Sequence, residues 1–218
     1  MPDTSRATDR NPTRAALVEA ALHLFGRKGY DAASTREIAA HAGANIAAIA
    51  YHFGGKEGLR LACVEAISAQ MGQVMALDAL PPPTTPDAAR QRLESVIRQV
   101  ARFMASAAPA QDMAAFVLRE ITENGPLADT IYHRMMEQRH RMLCQLWGRA
   151  TGTDPESEAT RLAVFAMIGQ VIYFRIGQPM ILRRMGWDAI SPDAAGRIGD
   201  LLVRNLHAAL AATERTTP

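Results

Sequence analysis

The sequence has few cysteines, few aromatic residues and few charged residues. Its 2 cysteines, Cys63 and Cys144, lie far apart and without CxxC spacing, which argues against a disulfide framework and against a cysteine zinc site. Aromatic residues make up 6% and charged residues 21% of the 218-residue chain. Ala, Leu, Met and Arg are abundant instead, and all four are good helix formers. We therefore expect a mostly helical protein in a reducing cytoplasm.

Long hydrophobic runs are also missing. No positively flanked apolar segment opens the chain, and the apolar stretch near Val164–Ile176 is broken by Gly169, Gln170 and Arg175. Neither secretion nor membrane spanning is expected. Because 48% of the residues are hydrophobic, the chain can still bury a sizeable core.

The chain has no strong excess of one charge. The formal net charge is +2, and residues 1–60 account for it with eight Lys or Arg against six Asp or Glu, while the remaining residues carry sixteen of each sign. An excess in the first quarter favours an anionic partner for the N-terminal part.

No strand pattern and no internal repeat occurs, and the helical signals begin after a polar stretch. Residues 1–11 are interpreted as a flexible arm, and helical spacing then runs from Thr13 to Gly29. Ser34 and Glu37 have the spacing of a capping box. A second helix follows until Gly43, and Asn45 is a good N-cap for a third, which ends near Phe53. Two short helices joined by a glycine turn predict a helix-turn-helix over residues 34–53.

The rest of the chain is predicted to be helical apart from a proline-rich loop. The loop covers Leu80–Pro86. Helices are predicted over 56–75, 87–107, 111–124, 127–151, 156–185 with a kink at Pro179, and 192–212, the last opened by Ser191-Pro192 as N-cap and first residue.

The segment from Thr13 to Leu59 resembles the DNA-binding domain of the TetR family of transcriptional repressors. The resemblance rests on a first helix followed in order by Ser34-Thr-Arg-Glu-Ile-Ala, Ala42-Gly-Ala, Tyr51-His-Phe and Lys56-Glu-Gly-Leu. The run ANIAAIAYHFGGKEGL, with Arg119-Glu120 and Ile168-Gly-Gln170, is similar to the CecR-like subgroup. The resemblance implies an all-α fold with three parts: the arm over 1–11, a three-helix DNA-binding domain over 12–60, and an effector-binding and dimerisation domain over 61–218.

The residue types of the third helix suit a DNA major groove. Ala47 and Ala48 are small enough for close approach, and their methyl groups, with Ile46, can contact thymine methyls. Tyr51 and His52 can donate to phosphate oxygens. Family precedent places contacts at the same positions, so the expected DNA-binding residues are Thr35, Arg36, Asn45, Ile46, Ala47, Ala48, Tyr51, His52 and Lys56.

Several alternatives remain open for this segment. Many family members carry tyrosine at the position of Ala50, whereas this chain has Tyr51. Lys56 is one of only two lysines and could be an ordinary solvated side chain. Arg6, Arg10 and Arg14 could enter a minor groove or belong to a solvated arm.

The resemblance implies that the later helices bind a small effector and form a homodimer. Two apolar stripes could form the dimer interface or belong to the internal core, and the expected dimer-interface residues are Phe165, Gly169, Ile172, Leu201, Leu202 and Asn205. The methionines Met104, Met113, Met135, Met136, Met142 and Met167 could line an adaptable cavity or simply fill the core. The expected effector-binding residues are Met104, Phe116, Glu120, Met136, Trp147, Gln170 and Tyr173, and Arg175 is a further polar candidate.

The function expected from these patterns is a cytoplasmic homodimeric repressor that a small molecule releases from a palindromic operator. We expect no enzymatic activity, because no catalytic constellation occurs, and no cofactor. One alternative is a helical metal-binding protein, since His133, Glu137 and His140 at i, i+4 and i+7 could share one helix face. Another is a helix-turn-helix protein that senses no ligand.

Overall fold

The computed structural model describes residues 12–77, 81–105, 108–123 and 127–216, and these residues contain no β-strand. The all-α prediction is thereby confirmed. The predicted arm, with Arg6 and Arg10, lies outside the described residues. The helices are α1 (Pro12–Lys28), α2 (Thr35–His41), α3 (Ala47–Phe53), α4 (Lys56–Met75), α5 (Pro86–Ala105), α6 (Ala108–Thr122), α7 (Ala128–Ile131), α8 (Gln138–Thr151), α9 (Glu158–Ile176), α10 (Gln178–Met185) and α11 (Pro192–Thr216).

Two long helices predicted from the sequence are interrupted in the structure. The helix expected over 127–151 contains a π-helical segment, Tyr132–Glu137, between α7 and α8. The helix expected over 156–185 ends at Ile176, and α10 restarts after Gly177 with Pro179 in its first turn. Proline is tolerated there because the first N–H groups of a helix have no intrahelical acceptor. Pro179 therefore lies in the first turn of a new helix and does not kink a continuous one.

The first core joins α1–α4 to part of the later chain. Its buried side chains include Leu17, Phe25, Ile38 and Leu59. Phe116 of α6 belongs to the same cluster and packs against Phe25 with ring centroids 6.3 Å apart. Because α1 packs on α6 and on α4, the N-terminal helices rest directly on the rest of the molecule.

The second core is centred on α5, which packs against α8, α9 and α11. Leu93, Trp147, Val164 and Leu202 are among its buried residues. The expected dimer-interface residue Leu202 is only 3% exposed. It therefore packs in the protomer's own interior and not against a second subunit.

Helix α9 has the length and apolar composition to cross a membrane, although only 28% of its most apolar window is buried. A core helix of a soluble protein can have the same length and apolar composition. It packs against α5 and α8, as a core helix does, and Arg175 near its end is buried. Its unburied residues leave an apolar face on the surface.

The junction between α3 and α4 depends on one glycine. A Cβ atom at Gly58 would lie 1.8 Å from the carbonyl oxygen of Phe53, far inside van der Waals contact. Glycine therefore allows α4 to begin directly beside the end of α3.

Candidate DNA interface and ligand cavity

A capping box starts α2, as the sequence predicts. The backbone N–H of Glu37 donates to the Ser34 hydroxyl at 3.1 Å, and the backbone N–H of Ser34 donates to the Glu37 carboxylate at 3.0 Å. Lys28 donates to the same carboxylate at 2.8 Å. The Lys28 hydrogen bond, followed by those of Ser34, lowers the pKa of Glu37 from 4.5 to about 2. At α2's N-terminus Thr35 is half-buried and Arg36 is exposed.

A tight turn connects α2 to α3. Gly43 has φ of +62°, a left-handed conformation that suits glycine. The Asn45 side chain accepts the backbone N–H of Ala47 at 2.9 Å, but the N-cap position of α3 is held by Ile46 and not, as predicted, by Asn45. This bond uses the Asn45 oxygen and leaves its amide NH₂ as the group available to another partner.

Helix α3 presents an open face. Of its residues only Ile49 is fully buried, and it holds the helix against the core. Ala47 is exposed, and Ala48 is half-buried against the same core. Ile46 is 48% exposed and Tyr51 is 85% exposed. The helix therefore shows solvent a small apolar surface that ends in a projecting phenol.

The aromatic side chains at the end of α3 pack edge to face. The rings of Tyr51 and His52 meet edge to face, with centroids 4.8 Å apart, and His52 meets Phe53 at 6.1 Å. Phe53 is half-buried and packs against the N-terminal core. The guanidinium of Arg14 lies 5.2 Å from the Phe53 ring, so Arg14 belongs to α1 and not to the predicted arm.

Lys56 at the start of α4 lies over a ring. Its ammonium is 4.3 Å from the centroid of Tyr30 and 3.5 Å from the carbonyl oxygen of Asp31. The guanidinium of Arg60 lies 4.1 Å from the same ring. A contact between Lys56 and a DNA phosphate would require its flexible side chain to leave Tyr30.

A cavity of about 350 Å³ lies among α4, α5, α6, the π-helical segment, α8 and α9. This is within the range of small-molecule pockets. Apolar side chains form most of its wall, and five of the expected methionines contribute to it: Met104, Met113, Met135, Met136 and Met167.

Other expected effector-binding residues lie elsewhere. Phe116 is 1% exposed and fills the N-terminal core. Glu120 forms a buried ion pair with Arg60, with bonds of 2.7 and 2.8 Å. Trp147 and Gln170 line a separate cavity of about 100 Å³, and Tyr173 is 59% exposed. The structure thus separates them from the large cavity, because their helix faces point into a core, to a neighbouring helix or to solvent.

Sequence reasoning missed two polar features next to the cavity. Arg139 donates to the carbonyl oxygens of Met135 at 2.8 Å and Ser68 at 2.5 Å, so it ties the π-helical segment to α4. Asp112 of α6 bonds to His23 of α1 at 3.0 Å, and the His23 ring stacks on His41 of α2 at 5.1 Å. The bonds of Arg139 to Ser68 and of Asp112 to His23 join residues 71 and 89 positions apart. No local sequence pattern predicts them.

The three residues of the metal hypothesis do not meet. His133 bonds to Glu137 at 2.9 Å, whereas the buried His140 approaches the carbonyl oxygen of Arg161 at 3.3 Å and stacks on Phe165. The π-helical segment changes the residue spacing per turn, so the i, i+7 relation no longer places His140 on the same face. Among the described residues no group of three or more His, Cys, Asp or Glu could hold a metal ion.

The expected dimer-interface residues divide between surface and interior. Phe165 is 47% and Leu201 41% exposed, and Gly169 and Asn205 are also exposed. Asn205 donates to Gln170 at 2.9 Å, which ties α11 to α9. Ile172 lines the large cavity, and Leu202 belongs to the core as described above.

Two family models match the sequence in succession. Residues 17–63 match the model of the tetR family of bacterial regulatory proteins. Residues 89–213 match the C-terminal domain of the HTH-type transcriptional dual regulator CecR.

Relatives and solved structures agree with these matches. The dual regulator CecR of Shigella flexneri is 34% identical over 183 residues, which cover 81% of this chain and 82% of that protein. The regulatory protein RaaS of Mycobacterium tuberculosis is 30% identical over 169 residues, covering 74% and 71%. AibR, solved with isovaleryl coenzyme A and operator DNA, superposes with a TM-score of 0.63 at 19% identity, covering 88% of this chain and 96% of that one. At that identity the last comparison shows the fold alone.

Proposed function

The chain belongs to the TetR family of transcriptional regulators and carries a CecR-type C-terminal domain, and from this we propose that it is a cytoplasmic homodimeric repressor released from a palindromic operator by a small molecule. In this proposal residues 12–60 bind DNA and residues 61–218 bind the effector and the second subunit. No catalytic role is assigned to any residue.

The observation that carries the DNA-binding role is the open face of α3. An α-helix enters the major groove only where its outward side chains are small or matched to the bases. Ile46, Ala47 and Ala48 offer methyl groups to thymine, and the Asn45 amide remains available for a base edge. Such contacts discriminate weakly, so DNA shape and the joint reading of two half-sites supply much of the specificity.

Phosphate contacts hold α3 in the groove. The projecting Tyr51 hydroxyl and the His52 imidazole lie at one end of the helix, and Arg36 and Thr35 lie at the start of α2. Lys56 joins them once its side chain swings away from Tyr30. Contacts of this kind fix position and orientation without reading sequence.

The exposed apolar face of α9 supports the dimer. Leu162 is 60% exposed and Phe165 47% exposed, and Ala166 and Gly169, which follow them along the helix, are exposed and small enough for close helix approach. Leu201 of α11 extends the same kind of surface. Contiguous apolar surface of this kind is typical of subunit interfaces.

Two polar contacts attach the N-terminal helices to α6 of the cavity-bearing domain. Arg60 of α4 pairs with Glu120 of α6, and His23 of α1 pairs with Asp112 of α6. A ligand that shifts α6 or the π-helical segment would therefore move α1 and α4, and α3 with them. Such a ligand acts only through its difference in affinity for the two states. AibR, which has this fold, was solved in complex with both isovaleryl coenzyme A and operator DNA.

The test is operator binding after selection of a recognition sequence from random DNA. Tyr51→Phe removes one hydroxyl from an 85% exposed ring and leaves the fold unchanged. One hydrogen bond to a charged phosphate contributes about 1.5–3 kcal/mol, so the dissociation constant should rise roughly 10- to 100-fold. Tyr132→Phe, at a 50% exposed tyrosine outside the proposed surface, should change nothing. Equal affinity of both variants would refute the phosphate role.

The dimer is tested separately by sedimentation. Phe165→Glu should shift the protein toward a monomer, because it places a charge in the apolar face of α9. Met185→Glu, at a 54% exposed methionine of α10, is the control and should leave the dimer intact. A regulator that senses nothing is the competing reading, and it predicts a protein whose operator affinity no small molecule changes.

A further inference from the structure

The large cavity combines an apolar wall with a cationic group. Among the described residues that line it, the polar side chains are Arg139, His140 and Arg175, and none is acidic. The remaining lining residues are aliphatic, methionine or phenylalanine. A ligand that fills this space must be mainly apolar.

Two of the three polar side chains serve the protein's own backbone. Arg139 donates to the carbonyl oxygens of Arg134, Met135 and Ser68. His140 approaches the carbonyl oxygen of Arg161 at 3.3 Å and stacks on Phe165 with ring centroids 4.0 Å apart. Their roles are explained by the packing of the π-helical segment, α8 and α9.

Arg175 differs because its charge lies deep in the apolar wall. The residue is 7% exposed, and its Nη1 donates to the carbonyl oxygen of Met104 at 3.3 Å. A guanidinium carries five N–H donors in a planar fork, so it can serve this neutral carbonyl and an anion together. Burial lowers the pKa of Arg175 from its ordinary value, and the nearby charge of Asp112 acts in the opposite direction.

Asp112, whose charge acts on Arg175, also has a partner in the N-terminal domain. Its Oδ2 bonds to His23 of α1 at 3.0 Å, so the same carboxylate holds the N-terminal domain. A second carboxylate beside Arg175 would form a charge-assisted, fork-shaped contact that a neutral group cannot match. A cationic ligand would be repelled.

We propose that the cavity takes an apolar molecule with one carboxylate, whose head group binds Arg175 and whose chain lies among Met104, Met113 and Met136. The inference rests on the effector role proposed above and adds the chemical class of the effector. Thioether side chains adapt to ligands of different shape, so the apolar part is selected less strictly than the charge.

The experiment compares three probes that share one chain and differ in charge. Dodecanoate, dodecanol and dodecylamine are titrated into the full-length protein by calorimetry, below the concentration at which each aggregates. Dodecanoate should bind roughly 10- to 100-fold more tightly than dodecanol, and dodecylamine should bind less tightly than dodecanol. Equal affinities for the anion and the alcohol, or no binding of dodecanoate, would overturn the proposal.

Variants assign the preference to one residue. Arg175→Met keeps an unbranched side chain and removes the charge, so the preference for dodecanoate over dodecanol should disappear. Arg184→Met, at an exposed arginine of α10, is the control and should keep it. If Arg175→Met does not fold, Arg175→Lys keeps a positive charge and should retain a reduced preference. A full preference in a folded Arg175→Met protein would refute the role of Arg175.

Operator binding is measured on the same preparations, which separates the two proposals. A protein that binds its operator and ignores dodecanoate contradicts only the ligand class. A protein that binds dodecanoate through Arg175 and binds no DNA contradicts the regulator function and leaves the ligand class standing.

Discussion

The buried ion pair between Arg60 and Glu120 should give a large effect from a single substitution. Its two bonds measure 2.7 and 2.8 Å, and the side chains are 11% and 5% exposed. Glu120→Ala leaves the guanidinium of Arg60 buried without its carboxylate, although the Tyr30 ring at 4.1 Å still faces it. Removing one partner of a buried pair costs about 3–5 kcal/mol. Because of the ring, we expect about 3 kcal/mol, at the lower end of that range.

Thermal unfolding followed by circular dichroism measures this loss at one fixed protein concentration. For a chain of this length, about 3 kcal/mol lowers the melting temperature by roughly 6–12 °C. Glu123→Ala is the matched control, because its partner Arg119 bonds to it at the surface, where the side chains are 36% and 58% exposed. Exposed pairs of this kind contribute at most about 1 kcal/mol.

A double substitution separates the pair's own contribution from the cost of an orphaned charge. Arg60→Met with Glu120→Leu fills the same space with apolar groups and should recover most of the lost stability. If Glu120→Ala destabilises the protein no more than Glu123→Ala does, the inference that this contact is desolvated is refuted.

Three further predictions follow from single side chains. Burial raises the pKa of Cys63 far above its usual value and that of Cys144 to about 11, so neither thiol should react with Ellman's reagent at pH 8 until denaturant exposes both. The Glu37 carboxyl should titrate near pH 2 by NMR. Because its folded pKa lies below 4.5, its stabilising effect is complete above pH 4.5 and is lost as the pH falls through about 2. A titration midpoint near 4.5 would contradict the capping geometry. Gly58→Ala should lower the free energy of unfolding by about 3 kcal/mol or more, since its Cβ meets a backbone oxygen at 1.8 Å. The control Gly196→Ala, with open space around it, should stabilise α11 by up to about 1 kcal/mol. Similar melting temperatures for the two variants would refute this prediction.

Local chemistry made the DNA-binding segment predictable. The capping box of Ser34 and Glu37 lies within four residues, and the turn at Gly43 needs only the conformational freedom of glycine. These signals are complete within a short window, so tertiary packing does not have to be known. The same window gives no reason for Gly58, whose role depends on how close α4 passes to the end of α3.

The sequence does not decide which apolar stripe faces the core and which faces the surface. Leu201 and Leu202 are neighbours with the same composition, yet they are 41% and 3% exposed. Helical spacing predicts both stripes equally well, and only the packing of α5 against α11 distinguishes them. The cavity poses the same difficulty, because Phe116 and Met136 have similar apolar character, yet Phe116 is buried in the N-terminal core and Met136 lines the cavity.

The position of α3 depends on helices that also hold the cavity. Ile49 is the fully buried residue of α3, and Ala48 and Phe53 pack against the same core, so the orientation of α3 follows α1 and α4. Helix α4 is tied to the π-helical segment, where Ser68 donates to the carbonyl oxygen of Arg134 at 2.9 Å and accepts from Arg139. Arg139 lines the cavity as well. A ligand that changes the packing of this one side chain therefore acts on the helix that sets α3, and the size of the response is limited by the free energy with which the ligand prefers one arrangement.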